Sequence, residues 1–147
     1  MAVFGTLEDE IEPELRAVSA CLEFITEISL MNIDRARNQQ PPITIGVGVN
    51  TGTLVAGFIG CSQRLEYTCI GDTVNTSSRI CSMAEKNQVL ISQFTYEKIK
   101  EKVDCTPVGV RQFKGKQKEV MVYEAFGLKE VASVGAKKGY ADKTIRF

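Results

Sequence analysis

Apolar residues recur at helical spacing in one long segment and alternate with small or polar residues in several short ones. Between residues 8 and 38, positions 11, 15, 18, 22 and 25 are all Ile, Leu or Val. Spacings of four and three place them on one face of a helix. Acidic residues crowd the start of this segment, where the helix dipole favours them, and Pro41-Pro42 ends it. The pattern predicts a helix packed on a sheet; a coiled-coil seam is the alternative, for which the segment is short.

Six short segments between glycine or polar turns are predicted to be strands. They are residues 43–49, 53–59, 65–70, 88–92, 108–113 and 119–126. Apolar and small residues alternate in the first of them, and residues 88–92 are typical of a buried strand. The first two are separated only by Asn50-Thr51-Gly52, so we expect them to form a hairpin. Residues 1–4 are compatible with the end of another strand.

Two further helices complete the predicted secondary structure. One spans residues 72–86, with Asp72 or Thr73 as its cap, and the other spans residues 93–102, capped by Ser92. Apolar periodicity is lost from residue 129 onward, which predicts a loose tail at 129–147. The order of helices and strands predicts one α+β domain over residues 1–128.

Composition excludes several classes of function. The chain has 147 residues, and 18 basic residues balance 18 acidic ones, so no overall field favours nucleic acid or an anionic membrane. There is no histidine, which removes histidine-based nucleophilic catalysis and the commonest zinc sites. The five cysteines form no Cys-x-x-Cys pair, so we expect reduced thiols and a cytoplasmic setting. No apolar segment reaches the ~18 residues of a membrane span, and no signal peptide is visible.

The most informative segment spans residues 64–79. It is typical of a strand, a glycine turn at Gly71 and the start of a helix. On that helix Asn75 and Arg79 lie one turn apart. An amide and a permanent cation on one helix face suit a phosphate-bearing transition state. The alternative is a helix start whose polar residues face water, with Arg79 in a surface ion pair.

This segment resembles the signature of the class III nucleotidyl cyclases, the adenylate and guanylate cyclase catalytic domain. The matching residues are Tyr67-Thr68, Gly71-Asp72-Thr73-Val74-Asn75 and Arg79. Residues 45–52 resemble the family's Ile-Gly-Ile-His-x-Gly segment, with Asn50 where histidine is frequent, and residues 55–60 resemble Val-Ala-Gly-x-x-Gly. Phe113-Lys114-Gly115-Lys116 resembles the family's Lys-Gly-Lys loop. The combined string is specific, whereas each piece alone is weak.

The resemblance implies a fold, a reaction and roles for five residues. The fold is the ferredoxin-like βαββαβ arrangement, and the reaction converts ATP to cyclic AMP and pyrophosphate in intracellular signal transduction. Asn75 would orient the ribose, Arg79 would hold the α-phosphate, and Lys114, with Lys116 second, would contact the terminal phosphates. Thr68 would read the purine. Adenylate cyclases use Asp or Thr there and guanylate cyclases tend to use Cys, so ATP is expected, with GTP as the alternative.

The chain departs from the family at the metal site. Class III cyclases hold two Mg²⁺ or Mn²⁺ ions on two aspartates, in an Asp-x-x-Gly-Phe-Thr motif and a later Gly-Asp hairpin. Neither motif occurs in this sequence, so we assign no metal ligand. The chain resembles a cyclase domain that lacks its first strands and helices, and family dimers draw the aspartates from the opposite subunit. We therefore expect it to be inactive alone.

The same departure predicts partners. A sheet edge and an apolar helix face should be left uncovered, which favours a homodimer, a strand-swapped dimer or assembly with a complete cyclase domain. Two other functions stay open: a non-catalytic nucleotide-binding or dimerisation module that regulates a complete cyclase, and a plain α+β interaction domain. We expect no membrane contact by this segment, although the parent protein could be membrane-anchored.

Overall fold

The computed structural model describes residues 1–6, 11–61, 64–112 and 119–129. It contains an α+β arrangement, as predicted. The helices are α1 (Pro13–Arg37), α2 (Asp72–Met83) and α3 (Gln93–Ile99). The strands are β1 (Val47–Val49), β2 (Val55–Cys61), β3 (Arg64–Ile70), β4 (Val89–Ser92), β5 (Val103–Arg111) and β6 (Val120–Leu128).

The strands form two sheets. One has four strands in the order β1-β4-β6-β5, with β1 parallel to β4 and the other pairs antiparallel. The other is an antiparallel ribbon of β2 and β3, paired from Val55↔Ile70 to Cys61↔Arg64 without a register shift. Helix α2 is the crossover that a parallel pair such as β1 and β4 requires.

Buried side chains cover both faces of the four-stranded sheet. On one face Val89 and Ile91 of β4 pack in a cluster with Val18 of α1 and Ile99 of α3. On the other face Leu90 packs with Ile80 of α2 and with Val120 and Val122 of β6. Strand β4 is buried along its whole length, which explains its continuous apolar sequence.

Helix α2 lies directly against β1 because β1 and the residue before it carry glycine where the two elements meet. A Cβ atom on Gly48 would lie 2.2 Å from the backbone nitrogen of Cys81, and one on Gly46 would lie 2.6 Å from the carbonyl oxygen of Ala84. The Ser77 hydroxyl donates a hydrogen bond to the Gly48 carbonyl at 3.0 Å. The glycines therefore permit a close helix–strand contact.

The strands at 53–59, 65–70, 88–92, 108–113 and 119–126 and all three helices are confirmed, with end shifts of up to five residues. Residues 43–49 contain only the three-residue strand β1, and residues 1–4 are not a strand. The predicted hairpin of 43–49 with 53–59 is wrong, because β1 pairs with β4 and β2 pairs with β3. The loop that links β1 to β2 contacts helix α3 instead, since the Thr51 hydroxyl lies 3.0 Å from the Thr95 hydroxyl.

The predicted caps have different outcomes. The Ser92 hydroxyl accepts a hydrogen bond from the Thr95 amide, so the cap of α3 is confirmed. The N-cap of α2 is Gly71 and makes no side-chain cap bond, so the prediction of Asp72 or Thr73 is wrong. The division at residue 128 stays a prediction, since residues 130–147 lie outside the described part of the chain.

Apolar surface is left open, as expected. Within the described residues, β1 has a strand neighbour on one side only. Helix α1 exposes Phe24, Leu30 and Ile33 by about half their area. No described helix combines the length and the apolar character that crossing a membrane requires.

Candidate functional site

The candidate site is built around the junction of β3 and α2. Gly71 joins them at φ 155° and ψ 165°, a backbone conformation that other residues rarely adopt. The first turn of α2 is then tied to the segment that links β1 to β2. The Thr73 hydroxyl donates to the Thr53 carbonyl at 2.7 Å, and the Asn50 amide donates to the Thr73 carbonyl at 3.0 Å. These bonds fix where the helix starts.

Asn75 and Arg79 share the face of α2 that points away from the sheet. Thr76 and Ile80, each about 100° further round the helix, are buried, and Ser77 bonds to a carbonyl of β1. Residues four apart on a helix differ by about 40° in direction, so Asn75 and Arg79 project together. Asn75 is exposed and Arg79 is half-buried. The amide and the guanidinium are thus presented on one accessible surface, as their spacing predicted.

Thr68 is half-buried on β3, three residues before Gly71. It pairs with Gly57 of β2. Neighbouring residues alternate between the two faces of a strand, so Tyr67 lies on the other face of the ribbon. There its ring meets the ring of Phe58 edge-on, with centroids 5.3 Å apart.

A depression of about 420 Å³ adjoins that other face. It is lined by Tyr67 and Ala56 of the ribbon, by residues 52–54 and by residues 3–6. Thr68, Asn75 and Arg79 do not line it. The depression is therefore separate from the residues that the sequence singled out.

The two predicted phosphate lysines, Lys114 and Lys116, lie outside the described residues, between β5 and β6 in the sequence. Their proximity to Arg79 stays a prediction. The sequence assigns no role to Asn50, yet its amide makes one of the two hydrogen bonds that hold the first turn of α2. Its Oδ1 atom is buried without a hydrogen-bond partner in the described part of the chain. The only signal was its place in a motif where histidine is frequent.

The titratable side chains in the described ranges offer no metal centre. Among these residues, no three His, Cys, Asp or Glu side chains are grouped to hold an ion. Burial raises the pKa values of the Cys21 and Cys105 thiols above the ordinary value of a cysteine, so both thiols favour the protonated form. Cys69 is buried and Cys81 is exposed, and both are free thiols.

A family model described as the adenylate and guanylate cyclase catalytic domain matches residues 1–125. The chain is 33% identical over 129 residues to "Adenylate cyclase, terminal-differentiation specific" of Dictyostelium discoideum. It is 36% identical over 132 residues to "Adenylate cyclase 1" of Rhizobium meliloti (strain 1021). The alignments cover 84% and 86% of this chain but 6% and 20% of those two proteins.

Solved structures give the same result. The guanylyl cyclase Cya2 is similar with a TM-score of 0.79 and 30% identity, over 86% of this chain and 64% of that one. The adenylyl cyclase CyaB from P. aeruginosa is similar with a TM-score of 0.77 and 28% identity, over 83% of this chain and 64% of that one. This chain thus spans less than two thirds of either solved chain. The fold, the signature around Gly71 and these similarities show that the chain belongs to the adenylate and guanylate cyclase catalytic domain family.

Proposed function

We propose that this chain supplies one half of a class III adenylate cyclase active site, in which ATP is converted to cyclic AMP and pyrophosphate. The observation that carries the proposal is the accessible face of α2 with Asn75 and Arg79 one turn apart. The start of that helix is fixed by hydrogen bonds from Thr73 and Asn50. Catalysis by electrostatic stabilisation needs such a preorganised arrangement.

The proposed chemistry is an in-line displacement at the α-phosphorus. The ribose 3′-hydroxyl oxygen forms a bond to that phosphorus as its proton leaves to solvent, and the bond to the bridging oxygen of pyrophosphate breaks. Negative charge shifts onto the phosphoryl oxygens and the leaving group. Arg79 would hold the α-phosphate oxygens with its planar guanidinium group, while the Asn75 amide would orient the ribose. Lys114 and Lys116 would bind the departing pyrophosphate.

Thr68 is proposed to contact the purine. Its hydroxyl can both donate and accept a hydrogen bond, which suits the ring nitrogen and the amino group of adenine. Guanylyl cyclases are among the similar structures, so GTP is the alternative substrate. Competition between ATP and GTP for binding distinguishes the two.

The described residues do not fit the two metal ions of the family, so no step through Mg²⁺ or Mn²⁺ is assigned to this chain. The 147-residue chain by itself is proposed to be inactive. A complete cyclase domain in the cytoplasm would contribute the two aspartates, which a second copy of this chain lacks. The site would then lie at a dimer interface, with ATP between the two contributions.

A complementation assay tests the proposal. Cyclic AMP would be measured with Mn²⁺ and ATP for the chain alone and for the chain mixed with a complete cyclase domain. That domain keeps its two aspartates, while its own transition-state arginine is replaced. We expect activity only in the mixture. Activity of the chain alone would contradict the proposed division of the site, and inactivity in both would contradict the catalytic role of Asn75 and Arg79.

The second candidate function is a non-catalytic module that regulates a complete cyclase. The open edge of β1 and the exposed apolar side chains of α1 favour it, because such surfaces suit association. In that case the Arg79→Ala chain would change the activity of an intact cyclase domain as strongly as the unaltered chain does. A catalytic contribution would instead be lost with Arg79.

A further inference from the structure

Gly57 lies in the middle of β2, where neither packing nor backbone conformation within the described residues requires a glycine. A Cβ atom at this position would meet no heavy atom within 4 Å. The residue is not among the glycines with a positive φ, and the β2–β3 register is unbroken around it. Glycine weakens the interior of a strand, and where it serves neither a bend nor internal packing it marks the close approach of something else.

The other strand glycines differ in this respect. Gly48 is required because α2 would collide with any side chain there. Gly127 in β6 also has open space, since a Cβ atom there would lie 3.8 Å from its nearest neighbour, an Asp104 carboxylate oxygen. However, the β5–β6 register shifts between Asp104 and Cys105, opposite Gly127 and Ala125, and glycine is common beside such irregularities. Gly57 has no comparable explanation.

The face of the ribbon that carries Gly57 also carries Thr68, its direct partner. The pair Val55 and Ile70 lies on one side of them, and the pair of Ile59 with Glu66 lies on the other. Each flanking pair is about 7 Å away along the strands. Val55, Ile70 and Ile59 are 69%, 54% and 47% exposed. Gly57 thus leaves bare backbone beside the Thr68 hydroxyl, with the two apolar side chains of one pair on one side and Ile59 and the exposed Glu66 on the other.

Such a surface suits a flat heteroaromatic ring. The ring can lie against the backbone at Gly57 and contact the apolar side chains, while the Thr68 hydroxyl meets its polar edge. We propose that Gly57 is a specificity-determining residue of the purine subsite, because its missing side chain leaves the space that the base occupies. This inference rests on the proposed function, since it requires that the chain binds a purine nucleotide.

The test compares Gly57→Val with Gly127→Val in the 147-residue chain. Binding of ATP and of inorganic tripolyphosphate is measured by calorimetry, and Tm is measured by circular dichroism. For Gly57→Val we expect the Kd for ATP to rise about tenfold or more. The Kd for tripolyphosphate should stay within about twofold. Because the position is open and a β-branched residue favours a strand, Tm should rise by about 2 to 4 °C.

The control and the possible failures are distinct. Gly127→Val should leave the Kd for ATP unchanged, which shows that a strand glycine far from Thr68 does not matter. If the unaltered chain does not bind ATP, this inference fails, whereas the proposed half-site is decided separately by the complementation assay. If it binds ATP and Gly57→Val binds equally well, the inference alone is overturned. A loss of both ligands, or a fall in Tm with a change of oligomeric state in sedimentation, would also overturn it, since Gly57 would then serve folding or a partner's backbone.

Discussion

The four-stranded sheet and the β2–β3 ribbon use their apolar residues in opposite ways. In the sheet, Leu90 and Ile91 of β4 are almost completely buried between helices. In the ribbon, Val55 and Phe58 expose 69% and 72% of their area. The sheet is therefore explained by packing within the described chain. The ribbon places large apolar side chains where only something outside the described chain can cover them, which is typical of a binding surface.

The largest expected effect tests whether the sheet alone carries the stability. Leu90→Ala should lower the free energy of unfolding by about 2–5 kcal/mol, because it leaves a cavity between α2 and the sheet. Phe58→Ala is the matched control in the ribbon and should lower it by about 1 kcal/mol or less, because it loses only an exposed ring contact with Tyr67. Urea unfolding followed by circular dichroism measures both. A large loss of unfolding free energy with Phe58→Ala would show that the ribbon is part of the core.

The next effect concerns activity rather than stability. In the complementation assay, Arg79→Ala should lower cyclic AMP formation by about 10²–10³-fold, the loss typical of removing one transition-state donor. Arg79→Lys keeps the charge but not the planar fork, so it should recover only part of the rate. Arg79 is only half-buried and is not part of the core cluster around Ile80, so Tm should change less than for a core substitution such as Leu90→Ala. Equal activity of the Ala variant would rule out a role for Arg79 at the transition state.

Glycine sharpens the comparison of the two regions. Gly48→Ala should destabilise the chain by about 1–3 kcal/mol, because the new Cβ would collide with the backbone of α2. Gly57→Ala should be neutral or stabilising by about 0.5–1 kcal/mol, since the space is open and glycine is unfavourable within a strand. Thermal unfolding of the two variants measures the difference. Destabilisation by Gly57→Ala would mean that the ribbon packs on itself more tightly than its open face indicates.

The elements of the sheet could be predicted well from the sequence because local patterns determine them. The buried strand β4 and the cap by Ser92 follow from neighbouring residues alone. The pairing of β1 was mispredicted because a short loop between two apolar segments favours a hairpin locally. The actual partner of β1 is β4, about 40 residues later in the chain. That pairing depends on tertiary contacts, among them the close packing of Gly46 and Gly48 on α2.

The candidate site was predicted unevenly for the same reason. The spacing of Asn75 and Arg79 fixes their common direction once α2 is helical, and the sequence pattern and the resemblance both indicated that helix. The role of Asn50 could not be predicted, because it depends on a hydrogen bond to Thr73, 23 residues away. The open space above Gly57 could not be predicted either, because the strand pattern does not show which residues pack against that face of the ribbon.

A small expected effect on stability separates positioning from folding at Asn50. Asn50→Ala removes the bond to the Thr73 carbonyl but also removes the buried Oδ1 atom that has no partner among the described residues. The two changes oppose each other, so the free energy of unfolding should change by less than about 1 kcal/mol. The first turn of α2 would still lose one of the hydrogen bonds that fix it. Complementation activity should therefore fall several-fold while Tm stays nearly constant. A parallel fall in both would mean that Asn50 supports the fold in general and has no specific effect on Asn75 and Arg79.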